Sequence, residues 1–250
     1  MAENVLMPEM SWTEVEEALK ERPVALLPVG NTEAHGPHLP VAADTVIAIE
    51  MARRTALNLK KRGLHALIAP PITFCVSELG AGFPGTVSLP PDTAVALLRD
   101  VIVALAKKFR AVALVGVNQE AANLEAQKRA TEEAKKAGAS VCFTELAKKR
   151  WSDRLGAAFN AGDHAGSFET SLMMACARAQ VREKERISLP PMDPLSPGLK
   201  KGAKTFAEAG GEDAYFGDPT AASAEEGEAH FEVLADILTL SIMEHLGSKM

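Results

Sequence analysis

Four short, almost wholly apolar runs, at 24–29, 66–72, 111–116 and 140–143, are separated by long stretches with helical periodicity. Runs of this length without polar alternation read as strands buried on both faces. The intervening patterns predict helices over 11–21, 45–62, 92–108, 120–136, 168–179 and 223–245. Val95, Leu98, Ile102 and Leu105 share one face of the third, and Gly227, Phe231, Leu234 and Leu238 share one face of the last. Strand and helix taken in turn imply βαβ units, a mainly parallel sheet and helices on both of its faces. The expected fold class is therefore α/β, a three-layer αβα sandwich, built as one domain over 1–250.

The 187–218 stretch breaks the pattern with SLPPMDPLSPGLKKG and AEAGGEDAYFGDPT, rich in Pro, Gly and charge. So long an excursion within a compact domain reads as a functional loop or as a surface arm used in oligomer contacts. Composition excludes several classes. A hydrophobic share of 47% is too high for a disordered chain, and the net charge of -6 offers no basic face for nucleic acid. No run approaches the roughly 20 apolar residues needed to span a bilayer, and the N-terminus has neither a basic start nor an apolar core, so a cytoplasmic location is expected. Cys75, Cys142 and Cys176 are odd in number and far apart, and read as buried apolar residues rather than a zinc or disulfide framework.

Ligands of open parallel sheets gather at the carboxyl ends of the strands. Directly after the first run stands GNTEAHGPHLPVAADT, with Glu33, His35, His38 and Asp44 in one loop held by Gly36, Pro37 and Pro40. Carboxylate and imidazole are ligands for Zn, Mn or Fe. By spacing alone, the same residues read equally well as an N-cap, Asp44, for the helix that follows, with Glu33 and His35 solvated. Gly80, Gly82 and Gly85 spell a dinucleotide-binding GxGxxG. Pro84 interrupts it and an extended 86–89 follows it, so the helix that must present amides to a pyrophosphate is absent.

Four blocks carry a family resemblance. PVGNTEAHGPHLPVAADT at 28–45, FPGTVSL at 83–89, DHAGSFETSLM at 163–173 and FGDPTAASAEEGEAHF at 216–231 resemble, in order and spacing, the motifs of the creatininase (creatinine amidohydrolase) family. The resemblance implies a creatininase-like fold and a metal-dependent hydrolase, typically an amidohydrolase that cleaves a C–N bond in a small cyclic or amide substrate. It also implies a homo-oligomer, commonly a hexamer, with one or two divalent ions (Zn, Mn or Fe) per subunit. Carried over position by position, it makes Glu33 a ligand of one ion, His35 a ligand of a second and Asp44 the carboxylate that bridges them. His164 orients substrate or moves protons, and Glu169 lies close to the metal, although at the start of a helix it also complements the helix dipole.

The chain departs from the family at N-G-H-x-x-N, which here reads Asn118, Gln119, Glu120, Ala121, Ala122, Asn123. Glu120 stands where the family has a histidine ligand, and Ala122 where creatininases proper have a further glutamate. Leu79 also replaces a histidine that often follows Ser-Glu. A carboxylate in place of an imidazole adds negative charge and favours harder ions. Glu120 is accordingly a candidate ligand or, failing that, a proton carrier. Two rival readings follow from the same resemblance: hydrolysis of a C–C bond in a cyclic polyol ketone, and a pseudoenzyme with a degraded metal site.

Overall fold

The computed structural model describes residues 5–118 and 120–248; Gln119 lies outside the described residues. The chain runs α1 (Trp12–Leu19), β1 (Val24–Pro28), α2 (Ala43–Lys61), β2 (Ala66–Ile68), α3 (Pro91–Ala106), β3 (Ala111–Val115), α4 (Ala121–Lys136) and β4 (Val141–Phe143). It continues through α5 (Lys149–Asn160), α6 (Ser167–Ala177), α7 (Glu183–Arg186), α8 (Leu195–Lys200) and α9 (Ala224–His245). Every strand pairing is parallel and the order is β2-β1-β3-β4, with Val24 in register with Ala66 on one side and Ala111 on the other. The α/β class and the sandwich architecture are as the alternation of runs implies.

Local chemistry sets the helix starts. Ser11 and Glu14 form a reciprocal capping box on α1, Pro91 opens α3 with its fixed φ, and the Ser223 hydroxyl accepts from the Glu226 N–H at 3.1 Å to start α9. The sheet then sorts its side chains by parity. Val24, Leu26, Ile68, Ala113 and Val115 face α2, α6 and α9, whereas Ala25, Leu27, Leu67, Val112 and Leu114 face α3, α4 and the apolar side of α1. Each buried Leu or Ile of this kind contributes about 1.5–3 kcal/mol of transfer free energy. Burial on both faces is why the runs lack polar alternation.

Four elements depart from the expectations: β2, α5 and the short helices α7 and α8. β2 stops at Ile68 because Pro70 and Pro71 cannot donate to a ladder, although Ile72 still makes a single bridge to Val29. Helix α5 is absent from the expected set. Its sequence KRWSDRLGAAFN is polar and carries Gly156 at φ 80°, which splits it. Part of the 187–218 stretch packs over the site. Phe206, Tyr215 and Phe216 are fully buried, the Phe216 N–H donates to the His164 carbonyl at 2.7 Å, and the Gly36 N–H donates to the Ala214 carbonyl at 2.8 Å. Cys75 and Cys142 are buried as expected, while Cys176 is partly exposed. None of the described helices is long and apolar enough to cross a membrane.

Candidate metal centre

The loop that leaves β1 folds back at the carboxyl edge of the sheet. Its turn is fixed by Gly36 at φ 64° and by the Glu33 N–H donating to the Val41 carbonyl at 3.0 Å. Glu33, His35 and Asp44 are all at most 1% exposed. The N-cap alternative for Asp44 is corrected: α2 begins at Ala43, the capping position is Ala42, and the Asp44 side chain turns inward. Glu33 and His35 are likewise buried rather than solvated.

The His35 ring has a defined orientation. Its Nδ1 lies 3.1 Å from the Glu33 carbonyl, which can only accept, so the proton sits on Nδ1 and Nε2 is left bare. That Nε2 is 3.3 Å from Asp44 Oδ1 and 3.8 Å from Glu169 Oε2, and neither Nε2 nor Asp44 Oδ1 has a hydrogen-bond partner. Lone pairs meeting in a buried site require a cation between them, either a proton or a metal ion. Without an ion the proton wins: burial favours the neutral ring, but Asp44, Glu169 and Glu33 outweigh it and push His35 up to about 10. Burial also raises Asp44, yet the His35 charge and the Asn118 amide hold it below the usual carboxylate range. Burial, with Asp44 as the nearest like charge, pushes Glu33 up to about 8. Burial pushes Glu169 up to about 7 against the pull of His35.

Candidate ligand atoms fall into two groups among the described residues, Glu33–His35–His164 and His35–Asp44–Glu169, with the atoms of each group within 4.8 Å of one another. Glu169 also accepts from the Ala165 N–H at 2.7 Å, so its placement in the first turn of α6 and its approach to His35 coexist. Carboxylate and imidazole with unsatisfied buried atoms are a donor set that fits Zn, Mn or Fe. Glu120 is in neither group. It occupies the N-cap position of α4 without a side-chain cap hydrogen bond, half-buried, and burial followed by the carboxylate of Glu78 pushes it up to about 7.

His164 is held on three sides. Its Nε2–H donates to the Ala34 carbonyl at 2.8 Å, its ring centroid lies 4.4 Å from that of His35, and Phe206 stacks on it at 4.4 Å. Burial and the His35 charge push it down to about 3, so it is neutral with a bare Nδ1. Residues that sequence reasoning passed over complete the site. Asn118 Nδ2 donates to Glu33 Oε1 at 2.9 Å and to Asp44 Oδ2 at 3.0 Å, and Asn31 Nδ2 approaches Glu33 Oε2 at 3.5 Å. Phe206 had no signal at all, since it lies in the irregular stretch. His38 is structural: its Nε2–H donates to the Thr170 hydroxyl at 2.9 Å, and Thr170 in turn donates to the Ala165 carbonyl at 3.2 Å. Beside Glu169 opens a cavity of about 220 Å³ lined by Val117, Ala158, Phe159, Asp163 and Phe168.

The family model described as "Creatininase: Creatinine amidohydrolase" matches residues 8–242. The "Mycofactocin precursor peptide peptidase" of Mycobacterium ulcerans (strain Agy99) is 33% identical over 228 residues, covering 86% of this chain and 82% of that protein. A crystal structure of creatinine amidohydrolase superposes with a TM-score of 0.77 at 24% identity, covering 99% of this chain and all of the other, and carries the likeness of fold. A structure described as "Creatininase Mn" superposes with a TM-score of 0.74 at 25% identity, covering 97% of this chain and 98% of that one. The fold, the four sequence blocks and a match over nearly the whole length lead to one statement: the chain belongs to the creatininase family.

Proposed function

We propose that this chain is a metal-dependent hydrolase that cleaves an amide C–N bond. The observation that carries the reading is the buried His35 Nε2 facing Asp44 Oδ1 at 3.3 Å and Glu169 Oε2 at 3.8 Å, with neither Nε2 nor Oδ1 otherwise bonded. The residues that would hold the ion are His35, Asp44 and Glu169, with Glu33 beside them. When bound, such an ion supplies Lewis acidity to the scissile carbonyl and lowers the pKa of water.

The remaining chemistry belongs to the chain. His164 is neutral with its tautomer locked by the Ala34 carbonyl, so its bare Nδ1 accepts a hydrogen bond and orients substrate or the attacking water. The Phe206 ring fixes its orientation and excludes water from its face. Glu120, raised to about 7, is the proton carrier for the leaving nitrogen. The cavity beside Glu169 has an apolar wall of Val117, Ala158, Phe159 and Phe168, which suits an apolar group next to the scissile bond. The relatives named for a peptide peptidase support widening the substrate class from small cyclic amides to peptide amides. Assembly as a homo-oligomer, a hexamer by family resemblance, belongs to the same proposal.

The test is turnover of a panel holding cyclic amides, short peptides with apolar side chains and cyclic polyol ketones, before and after removal of metal by a chelator. Amide cleavage that disappears on chelation, returns with Mn²⁺ or Zn²⁺ and falls at least ~100-fold in His164→Asn is expected. Cleavage that persists in metal-free protein sinks the reading. Protein purified without chelator that holds no transition metal and turns over no member of the panel favours the pseudoenzyme.

A further inference from the structure

The two groups of candidate ligand atoms share a residue: both contain His35. Of the two, the His35–Asp44–Glu169 group gathers around Nε2 of that ring. On the far side of Asp44 the arrangement is different. Asn118 Nδ2 stands between Glu33 Oε1 at 2.9 Å and Asp44 Oδ2 at 3.0 Å. The amide cannot be turned round without loss, because its Oδ1 accepts from the Glu120 N–H at 2.9 Å and from Asn123 Nδ2 at 3.2 Å. Two donors at one end fix that end as oxygen, and the NH₂ end faces the two carboxylates.

An ion between Glu33 and Asp44 would have to displace this amide nitrogen and leave its donors idle. Where the family has a histidine ligand stands Glu120, which occupies the N-cap position of α4 without a side-chain cap hydrogen bond and belongs to no three-residue ligand group among the described residues. On the His35 side the opposite holds: His35 Nε2 and Asp44 Oδ1 are buried, unbonded and aimed at each other, with Glu169 within reach.

We propose that this chain binds a single divalent cation per subunit, seated on His35, Asp44 and Glu169, with the Asn118 amide holding Glu33 and Asp44 together in place of a second ion. The inference rests on the metal-dependent reading above and concerns the number and place of the ion. The amide satisfies one oxygen of each carboxylate, and Asp44 keeps its other oxygen for the cation. Asn118 is a positioning residue here.

The experiment is metal counting on the intact chain. Protein stripped by a chelator is titrated calorimetrically with Mn²⁺ and with Zn²⁺, the desalted complex is analysed for metal, and the Mn²⁺ form is examined by electron paramagnetic resonance. One ion per chain, with the spectrum of an isolated, magnetically uncoupled Mn²⁺, is expected. His35→Ala and Glu169→Gln weaken binding at least ~100-fold, whereas Glu33→Gln keeps one ion with affinity within ~10-fold. Two ions per chain, or a coupled pair in the spectrum, overturn the inference and leave the metal-dependent reading standing. No bound ion overturns both. Loss of the ion in Glu33→Gln with its retention in His35→Ala places the cation on the wrong side and also overturns it. Because His35→Ala removes a buried charge, thermal unfolding of each variant is followed alongside, and Glu169→Gln, on a different element, reports the same side independently.

Discussion

Gly227 lies in the second turn of α9, where glycine is ordinarily a handicap. Replacing an interior helical glycine by alanine stabilises by about 1 kcal/mol through propensity alone. Here the sign reverses. A Cβ at 227 would stand 1.9 Å from the Ser171 carbonyl oxygen, 2.5 Å from its carbon and 2.8 Å from the Ala175 Cβ, all of them on α6. Two of these are backbone atoms, so relief requires the helices to move apart by more than ~1 Å, and overpacking of this kind costs about 1–3 kcal/mol or more. Set against the propensity gain, Gly227→Ala, with two backbone clashes at the upper end of that cost, is expected to lose about 1–2 kcal/mol, a fall in melting temperature of about 2–8 °C for a chain of this size. Ser171 follows Glu169 by two residues on α6, so the displacement also weakens the affinity for Mn²⁺ or Zn²⁺. Urea unfolding measures the first effect and calorimetric titration the second. Gly82→Ala, which meets open space, is the control. A Gly227→Ala protein as stable as the wild type, with unchanged metal affinity, would refute the argument that α6 and α9 are in backbone contact there.

Two further outcomes follow. His38 is fully buried, and burial, then the His35 charge, push it down to about 4 from an ordinary value of 6.5. The unfolded chain takes up the proton first, so stability present above pH 6.5 is lost as pH falls towards 4, by about 3 kcal/mol at most. Urea unfolding across that window should show this slope, and His38→Gln, which can still donate to Thr170, should flatten it; an unchanged slope refutes the assignment. Arg186 is buried, donates to the Pro219 and Thr220 carbonyls at 2.7 and 3.2 Å, and pairs with Glu183. Arg186→Ala leaves those carbonyls without a donor and should cost about 2–4 kcal/mol, whereas a loss below ~0.5 kcal/mol in thermal or urea unfolding would show that solvent replaces the guanidinium.

The sheet was legible because burial on both faces leaves no room for polar residues, so Val24 to Pro28 and Ala111 to Val115 announce themselves. α5 was not, because a helix holding Lys149, Arg150, Asp153 and Arg154 on its outer side and broken by Gly156 has too little apolar periodicity to register. At the site, the loop after β1 was legible as a cluster of ligand-type residues. What spacing could not decide was whether Asp44 turned outward as a cap or inward, since both conformations open a helix at nearly the same residue. Asn118 and Phe206 escaped for a different reason: an amide and a phenyl ring acquire their roles only from neighbours far along the chain, Glu33 and His164. The neutral state of His164 was equally out of reach, since it arises from burial and from the charge on His35.

The groups around His35 come from two segments that no strand pairing joins, the loop at 33–44 and the turn at 163–169, tied to each other by the His164–Ala34 hydrogen bond and each to the 187–218 stretch by the Gly36–Ala214 and Phe216–His164 hydrogen bonds. A cation seated there is thus a cross-link between the first third and the last third of the chain. Amide protons along both segments, and those of the 187–218 cover above them, should exchange with solvent as one cooperative unit, slowing together when Mn²⁺ is added. Protection confined to the β1 loop would mean that the cover opens independently and that substrate enters without disturbing the ion.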